Sequence, residues 1–276
     1  ELANPISSDL SHMRPSLLPG LMVAAQKNAD RGARVINLFE LGNEFKAATP
    51  GAQRFAAAGL RAGLGGVKTW GTAAGRPVDA YGARADAEAA LAACGVATDS
   101  LQVLPVDTAE GGECYHPGRS GILARNPRKP MAVFGELHPA LLAGFGIDMP
   151  MAAFEVWPET VPAPKAAKQA GTDIARPALA LSNLQMVRRD FAFEVESAIP
   201  AADIVRAARG ADKKLITSVR VFDVFEGGQL AEGMKSVGLE VSLQPAQTTL
   251  TDAEIEAVCE KVTVAVVEPT GGRLRG

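Results

Sequence analysis

Between Ser236 and Leu243 the sequence alternates without a break. Val237, Leu239, Val241 and Leu243 fall on one face of an extended chain, and Ser236, Gly238, Glu240 and Ser242 on the other. A period of two calls for a strand with one face against a core and one face free, and rules out a helix here. Just upstream, Val219 to Phe225 is dense in β-branched and aromatic residues, which favours a second strand. Gly227, Gly228 and Gly233 bound the connection, so it bends without strain. Asp223 and Phe225 stand at i, i+2 and share a face. Val219 and Val221 have the same parity, so the face that Asp223 occupies depends on whether a bulge intervenes.

The flanking segments extend this hairpin into a β-α-β-β-α-β order. Asp190 to Glu196 alternates, with Phe191, Phe193 and Val195 on one side. Pro200 opens a helix through Ala208 that ends at Gly210. Thr251 and Glu254 match a capping box for a helix running from Asp252 to Val267, with Ile255, Val258, Val262 and Val266 as its buried stripe. Gly271-Gly272 then turns the chain into a short strand, Arg273 to Arg275. The order predicts a ferredoxin-like split βαβ: a four-stranded sheet with helices on one face and the other face open. On such a face, Asp223 can accept from both N1–H and N2–H₂ of a guanine, while Phe225 stacks the ring and Ser236 hydrogen-bonds it from the next strand. Arg188, Arg189 and Lys235 are candidates for holding phosphates. The plain alternative places Phe225 in the core and Asp223 in a turn, and ferredoxin-like domains also bind small ligands or dimerise.

Charge narrows the choice. The formal net charge is −3, and from Arg188 to Arg275 there are 11 basic and 14 acidic side chains. RNA binding by such a domain rests on a local patch and base contacts, not on a global field. The three cysteines, Cys94, Cys114 and Cys259, form no CxxC and read as reduced thiols of a cytoplasmic protein. His12, His116 and His138 lack metal-ligand spacing and suit turns beside Pro117 and Pro139, so no metal site is expected. There is no P-loop, GLGGVKTWG lacks the dinucleotide spacing, and no catalytic triad can be argued from spacing, so no catalytic residue is assigned. No apolar run reaches the roughly 18 residues of a membrane span. The chain starts without Met, which suggests part of a longer protein.

The first part, 1–157, reads as α+β with a largely antiparallel sheet. Ser16 and Pro19 open a helix with Leu18, Leu21, Met22 and Ala25 as its apolar stripe, closed by Gly32. Strands are expected at Val35–Phe45, within Leu60–Trp70, and at Leu101–Val106, Tyr115–Ala124, Met131–Leu137 and Met151–Val156. Helices are expected at Asp79–Cys94 and Pro139–Phe145. Residues 158–182, with Pro158, Pro162, Pro164 and Pro177 among Ala and Lys, read as a linker to a second domain at 183–276.

Several stretches in fixed order carry a resemblance. NPISSDLSHMRPSLLPGLM (4–22), LFELGNEF (38–45), YHPGRSGIL (115–123), FGELHPALL (134–142), RRDFAF (188–193), FDVFEGG (222–228), MKSVGLEV (234–241) and TLTDAEIEAV (249–258) together resemble the C-terminal part of the bacterial phenylalanine–tRNA ligase beta subunit, over essentially the whole chain. The resemblance implies a class II synthetase-like, non-catalytic module followed by a ferredoxin-fold anticodon-binding domain. It implies an (αβ)₂ heterotetramer that attaches phenylalanine to its tRNA with ATP and Mg²⁺, the active site lying in the alpha subunit and no cofactor in this part. The resemblance further implies, by motif, that Asp223, Phe225 and Ser236 fall on the positions that read the anticodon, whose first base is guanine, with Ala192 lining the site. Phe225 stands where the family often has Tyr, which keeps the stacking ring and loses a hydroxyl. Leu184-Gln185-Met186 replaces the usual Phe-Pro before the RRD motif.

Overall fold

A computed structural model of the chain describes residues 1–276 apart from 9–10, 50, 72, 74, 109–110, 163–181, 247 and 276. Most of the expected linker at 158–182 therefore lies outside the described residues. The chain divides into two compact units, Glu1–Gly171 and Thr172–Gly276.

The first unit opens with helix α1, Leu18–Ala29, which buries Leu18, Leu21, Met22 and Ala25 as the stripe predicted. Ser16 stands one residue before the cap position, yet its hydroxyl still accepts from the Leu18 N–H at 3.0 Å and satisfies one of the helix's unpaired donors. Strand β1 runs Val35–Phe45 and β2 Gln53–Gly63, followed by helix α2, Ala80–Ala93, whose first turn is capped by Asp79 accepting from Gly82 N–H at 2.9 Å. Then come β3 (Gln102–Leu104), β4 (Tyr115–Asn126), β5 (Lys129–Leu137), α3 (Pro139–Gly144) and β6 (Met151–Val156). The six strands are ordered β1-β2-β6-β5-β4-β3, and every neighbouring pair is antiparallel.

The expectation of a strand within Leu60–Trp70 is corrected to β2 at Gln53–Gly63. Ala56, Ala58 and Ala62 carry it, each almost wholly buried. Alanine is a weak strand former, so the segment has little local signature. Tertiary context selects it, because the sheet is packed on both faces. One apolar cluster joins α1 to Ala56, Ala58, Leu60, Val133 and Ala153; another joins Ala83, Ala87 and Leu91 of α2 to Leu123, Phe134, Ala152 and Val156. Gly59 faces the second cluster. A Cβ there would sit 2.3 Å from the Phe154 ring, so only glycine lets that ring lie over the strand.

At the α1 side of this sheet, a polar group is buried among the apolar side chains. Glu44, 1% exposed, is gripped by Arg54 at 2.8 and 3.0 Å, and the Arg54 guanidinium stacks on Trp157 at 4.1 Å. Glu155, 6% exposed, accepts from the Ser16 hydroxyl at 2.7 Å. Burial pushes Glu155 up to about 7, against the pull of the Ser16 hydrogen bond and with the help of the adjoining Glu44 charge. A proton on Glu155 can be donated to Glu44.

The second unit contains β7 (Val187–Glu196), α4 (Ala201–Gly210), β8 (Ile216–Glu226), β9 (Met234–Leu243), α5 (Asp252–Thr270) and β10 (Arg273–Leu274). Its sheet has the order β10-β7-β9-β8, all antiparallel, which is the split βαβ arrangement. Phe191, Phe193, Val195, Val237, Leu239 and Val241 pack against Ile204 and Ala208 of α4 and against Ile255, Val258, Val262 and Val266 of α5. The capping box is present in full: Thr251 Oγ1 accepts from Glu254 N–H, and the Glu254 carboxylate accepts from Thr251 N–H at 2.8 Å. The free face expected for β9 is less free than its pattern indicates, since Ser236 and Ser242 are 8% and 4% exposed. β9 is paired on both sides, and Phe222 of β8 reaches over Gly238.

Candidate nucleic-acid interface

The face of Asp223 is decided by one extra residue. Along β8, Val219 lies opposite Val241 and Val221 opposite Leu239, but the next partner of β9, Gly238, faces Asp223. Phe222 is the additional residue of a bulge. It leaves Val219 in the core while turning Asp223 and Phe225 to the open side of the sheet, where they lie opposite Gly238 and Ser236.

There the four residues singled out in the sequence meet. Ala192, Asp223, Phe225 and Ser236 line one open concavity of about 620 Å³. Each comes from a different constraint. Ala192 is the small residue between buried Phe191 and Phe193 on β7, and Ser236 the short one beside buried Val237 on β9. Phe225 is 47% exposed, an unusual condition for a large apolar ring in a strand. The connection after β8 folds back over that ring. Gly228 has φ +64, and a Cβ there would sit 3.0 Å from Phe225 Cζ. Gln229 and Leu230 of the same turn complete that wall.

The opposite wall was not foreseen. Arg275 follows β10, and its N–H donates to Ala192 O at 2.7 Å, which brings its side chain to the concavity. Glu194 lies between two arginines, 2.5 Å from Arg273 and 3.9 Å from Arg275. Two arginines thus flank one largely buried carboxylate at this rim. The signal was the antiparallel register of the short last strand on β7, which sequence alone does not fix.

The three phosphate candidates do not gather here. Arg189 and Lys235 have the parity of Phe191 and Val237 and point to the helix-covered side, where Lys235 Nζ donates to Ser197 O at 2.8 Å. Arg188 is on the open side but opposite Ser242, six residues from Ser236 and thus about 20 Å along the strand.

In the first unit, His116 and His138 form turns: their Nδ1 atoms accept from Gly118 and Ala140 N–H, each at 3.1 Å, with the rings stacked. Arg119 is paired with Glu136 at 2.5 Å. Among the described residues no group of three or more His, Cys, Asp or Glu could hold a metal ion, and no helix is long and apolar enough to cross a membrane.

Comparison with known proteins matches residues 1–157 to the phenylalanyl-tRNA synthetase beta chain CLM domain and residues 182–275 to the ferredoxin-fold anticodon binding domain. The chain belongs to the phenylalanyl-tRNA synthetase beta chain family. It is 50% identical over 275 residues to the phenylalanine–tRNA ligase beta subunit of Paramagnetospirillum magneticum, and 50% identical over 275 residues to that of Ruegeria pomeroyi. Both alignments cover 100% of this chain and 33% of the relative, so the chain spans about a third of the length of the curated relatives it matches. A solved pyrrolysyl tRNA synthetase of Desulfitobacterium hafniense aligns with TM-score 0.36 and 12% identity over 52% of this chain and 46% of that one, a likeness too slight to carry an argument. Within this beta-chain family member, then, the antiparallel α+β architecture and the ferredoxin fold agree with the reading from sequence. The bulge at Phe222 is the local device that sequence parity left open.

Proposed function

We propose that this chain is the part of a phenylalanine–tRNA ligase beta subunit that binds the anticodon of phenylalanine tRNA and supports assembly with a catalytic alpha subunit. The observation that carries the reading is the concavity where Asp223, Phe225, Ser236 and Ala192 converge on the uncovered side of the sheet. Its dimensions and chemistry suit one flipped-out purine. The Asp223 carboxylate takes the two N–H groups of a guanine Watson–Crick edge, Phe225 stacks the ring, Ser236 supplies a further hydrogen bond, and Arg275 stands at the rim for the backbone. Adenine, cytosine and uracil lack that pair of adjacent donors.

In this reading residues 1–157 form a class II synthetase-like platform without catalytic residues of its own, joined through 158–182 to the anticodon-binding domain at 183–276. Phenylalanine activation, with ATP and Mg²⁺, takes place in the alpha subunit of an (αβ)₂ heterotetramer in the cytoplasm. Binding of an anticodon stem-loop of phenylalanine tRNA at fixed salt tests it. Asp223→Ala is expected to weaken binding by about 1–3 kcal/mol and to lose the preference for guanine at the first anticodon position. Equal binding by both proteins, or binding without base preference, would overturn it.

A second reading, that the chain is mainly an assembly scaffold with little RNA affinity, is favoured by a different observation. On the edge strand β1, Phe39 and Leu41 are 80% and 61% exposed, next to Phe55 of β2. Large apolar side chains in that state on an edge strand suit a protein partner. Loss of alpha-subunit binding in Phe39→Glu, with stem-loop affinity too weak to measure in either protein, is the result it expects.

A further inference from the structure

The bulge that turns Asp223 outward has a second consequence. Phe222, the inserted residue, shares the open face with Asp223: a Cβ built on Gly238 would sit 2.8 Å from Phe222 Cζ and 3.3 Å from Asp223 Cβ. The ring reaches over the bare backbone of Gly238 and is 51% exposed. Phe222 thus covers Gly238 much as Phe225 stands opposite Ser236, two steps away along β9, about 7 Å. Two half-exposed aromatic rings one ladder repeat apart on an uncovered four-stranded sheet match the way such sheets stack two successive bases of a single strand. Beyond Phe222 on the same face lies Arg220, whose side chain is 67% exposed and only loosely paired with Glu240 at 3.4 Å.

Resting on the anticodon reading above, we propose that Phe222 is a second base-stacking platform. It takes the nucleotide next to the guanine, with Arg220 toward its backbone, so that the open face engages two consecutive nucleotides and not one. A phenyl ring offers a π-face to any base, so this position contributes affinity with little base selectivity.

A mutant-and-abasic cycle tests the proposal with the intact chain. Wild type, Phe222→Ala and Phe222→Trp are each measured against the anticodon stem-loop and against loops made abasic at either nucleotide flanking the guanine. Expected is a loss of about 5- to 100-fold in Phe222→Ala with the intact loop. That loss vanishes with one of the two abasic loops, while Phe222→Trp binds as wild type. Equal losses with all three loops would show that Phe222 only shapes the sheet and would overturn the proposal. Guanine preference is read by titrating the wild type also with a loop in which that guanine is replaced by adenine. Its presence without coupling at Phe222 refutes this inference alone, whereas its absence refutes the anticodon reading and this inference with it.

Discussion

The two sheets of this chain treat the same device in opposite ways. In each, a glycine in a paired strand lies under a phenylalanine ring: Gly59 under Phe154 in the first unit, Gly238 under Phe222 in the second. Phe154 is packed into the cluster beneath α2, whereas Phe222 is half exposed. A sheet covered on both faces uses the arrangement to fill space. A sheet covered on one face leaves a ring available to a ligand. The difference teaches that an aromatic over a glycine is a packing solution or a binding platform according to what the other face of the ring meets.

Core truncation gives the largest expected effect and shows that the open face depends on the covered one. Phe193, fully buried between the sheet and its helices, is expected to cost about 3–5 kcal/mol on replacement by Ala. The second unit has neither Trp nor Tyr, so denaturant unfolding followed by far-ultraviolet circular dichroism is the measurement. A loss under 1 kcal/mol would mean the core does not set the face.

The glycine pair sharpens the comparison directly. Gly59→Ala drives a methyl into the Phe154 ring, which is partly buried and cannot leave, and about 1–3 kcal/mol of stability is expected to be lost. Gly238→Ala meets the far end of an exposed ring, which swings away, and the Asp223 Cβ at 3.3 Å, which gives by a few tenths of an ångström, so less than about 1 kcal/mol is expected, with the damage appearing in stem-loop binding instead. Equal losses in the two variants would break the contrast between filled and available rings.

Acid–base behaviour should also separate the units. In the folded protein Glu155 holds its proton up to about 7, well above the usual carboxylate range. Across that window the folded form keeps a proton that the unfolded chain has released, so stability from this group is greatest at low pH and falls as pH rises to about 7. Trp157 fluorescence follows it, since that ring is buried beside Arg54 while Trp70 is exposed. Unfolding midpoints of the first unit are expected to fall between about pH 4.5 and 7. Glu155→Gln is expected to flatten that slope; an unchanged slope would remove the paired-carboxyl account.

The smallest effect is at the helix cap. Thr251→Ala removes one half of the capping box of α5 and is expected to cost about 1 kcal/mol, seen as a lower denaturation midpoint of the second unit with stem-loop affinity retained.

Local chemistry made much of this legible in advance. The strict alternation of β9, the stripe and capping box of α5, the stripe of α1 and the glycines that end elements are each set by neighbours a few residues apart, and they appear where the pattern places them. The alanine strand β2 did not show itself, because its evidence is burial on both faces and burial is a property of the folded sheet. Four residues of the concavity, Ala192, Asp223, Phe225 and Ser236, were named from sequence, but their convergence was not visible there. A bulge of one residue at Phe222 reverses parity, and no propensity marks which residue of FDVF is the extra one. Pairing with β9 makes that choice, since it alone keeps Val219 in the core and leaves Gly238 for the ring. By the same logic Arg275 joined the rim and Arg189 and Lys235 left it: charge can be read from sequence, but the side of the sheet on which it stands is fixed only by register.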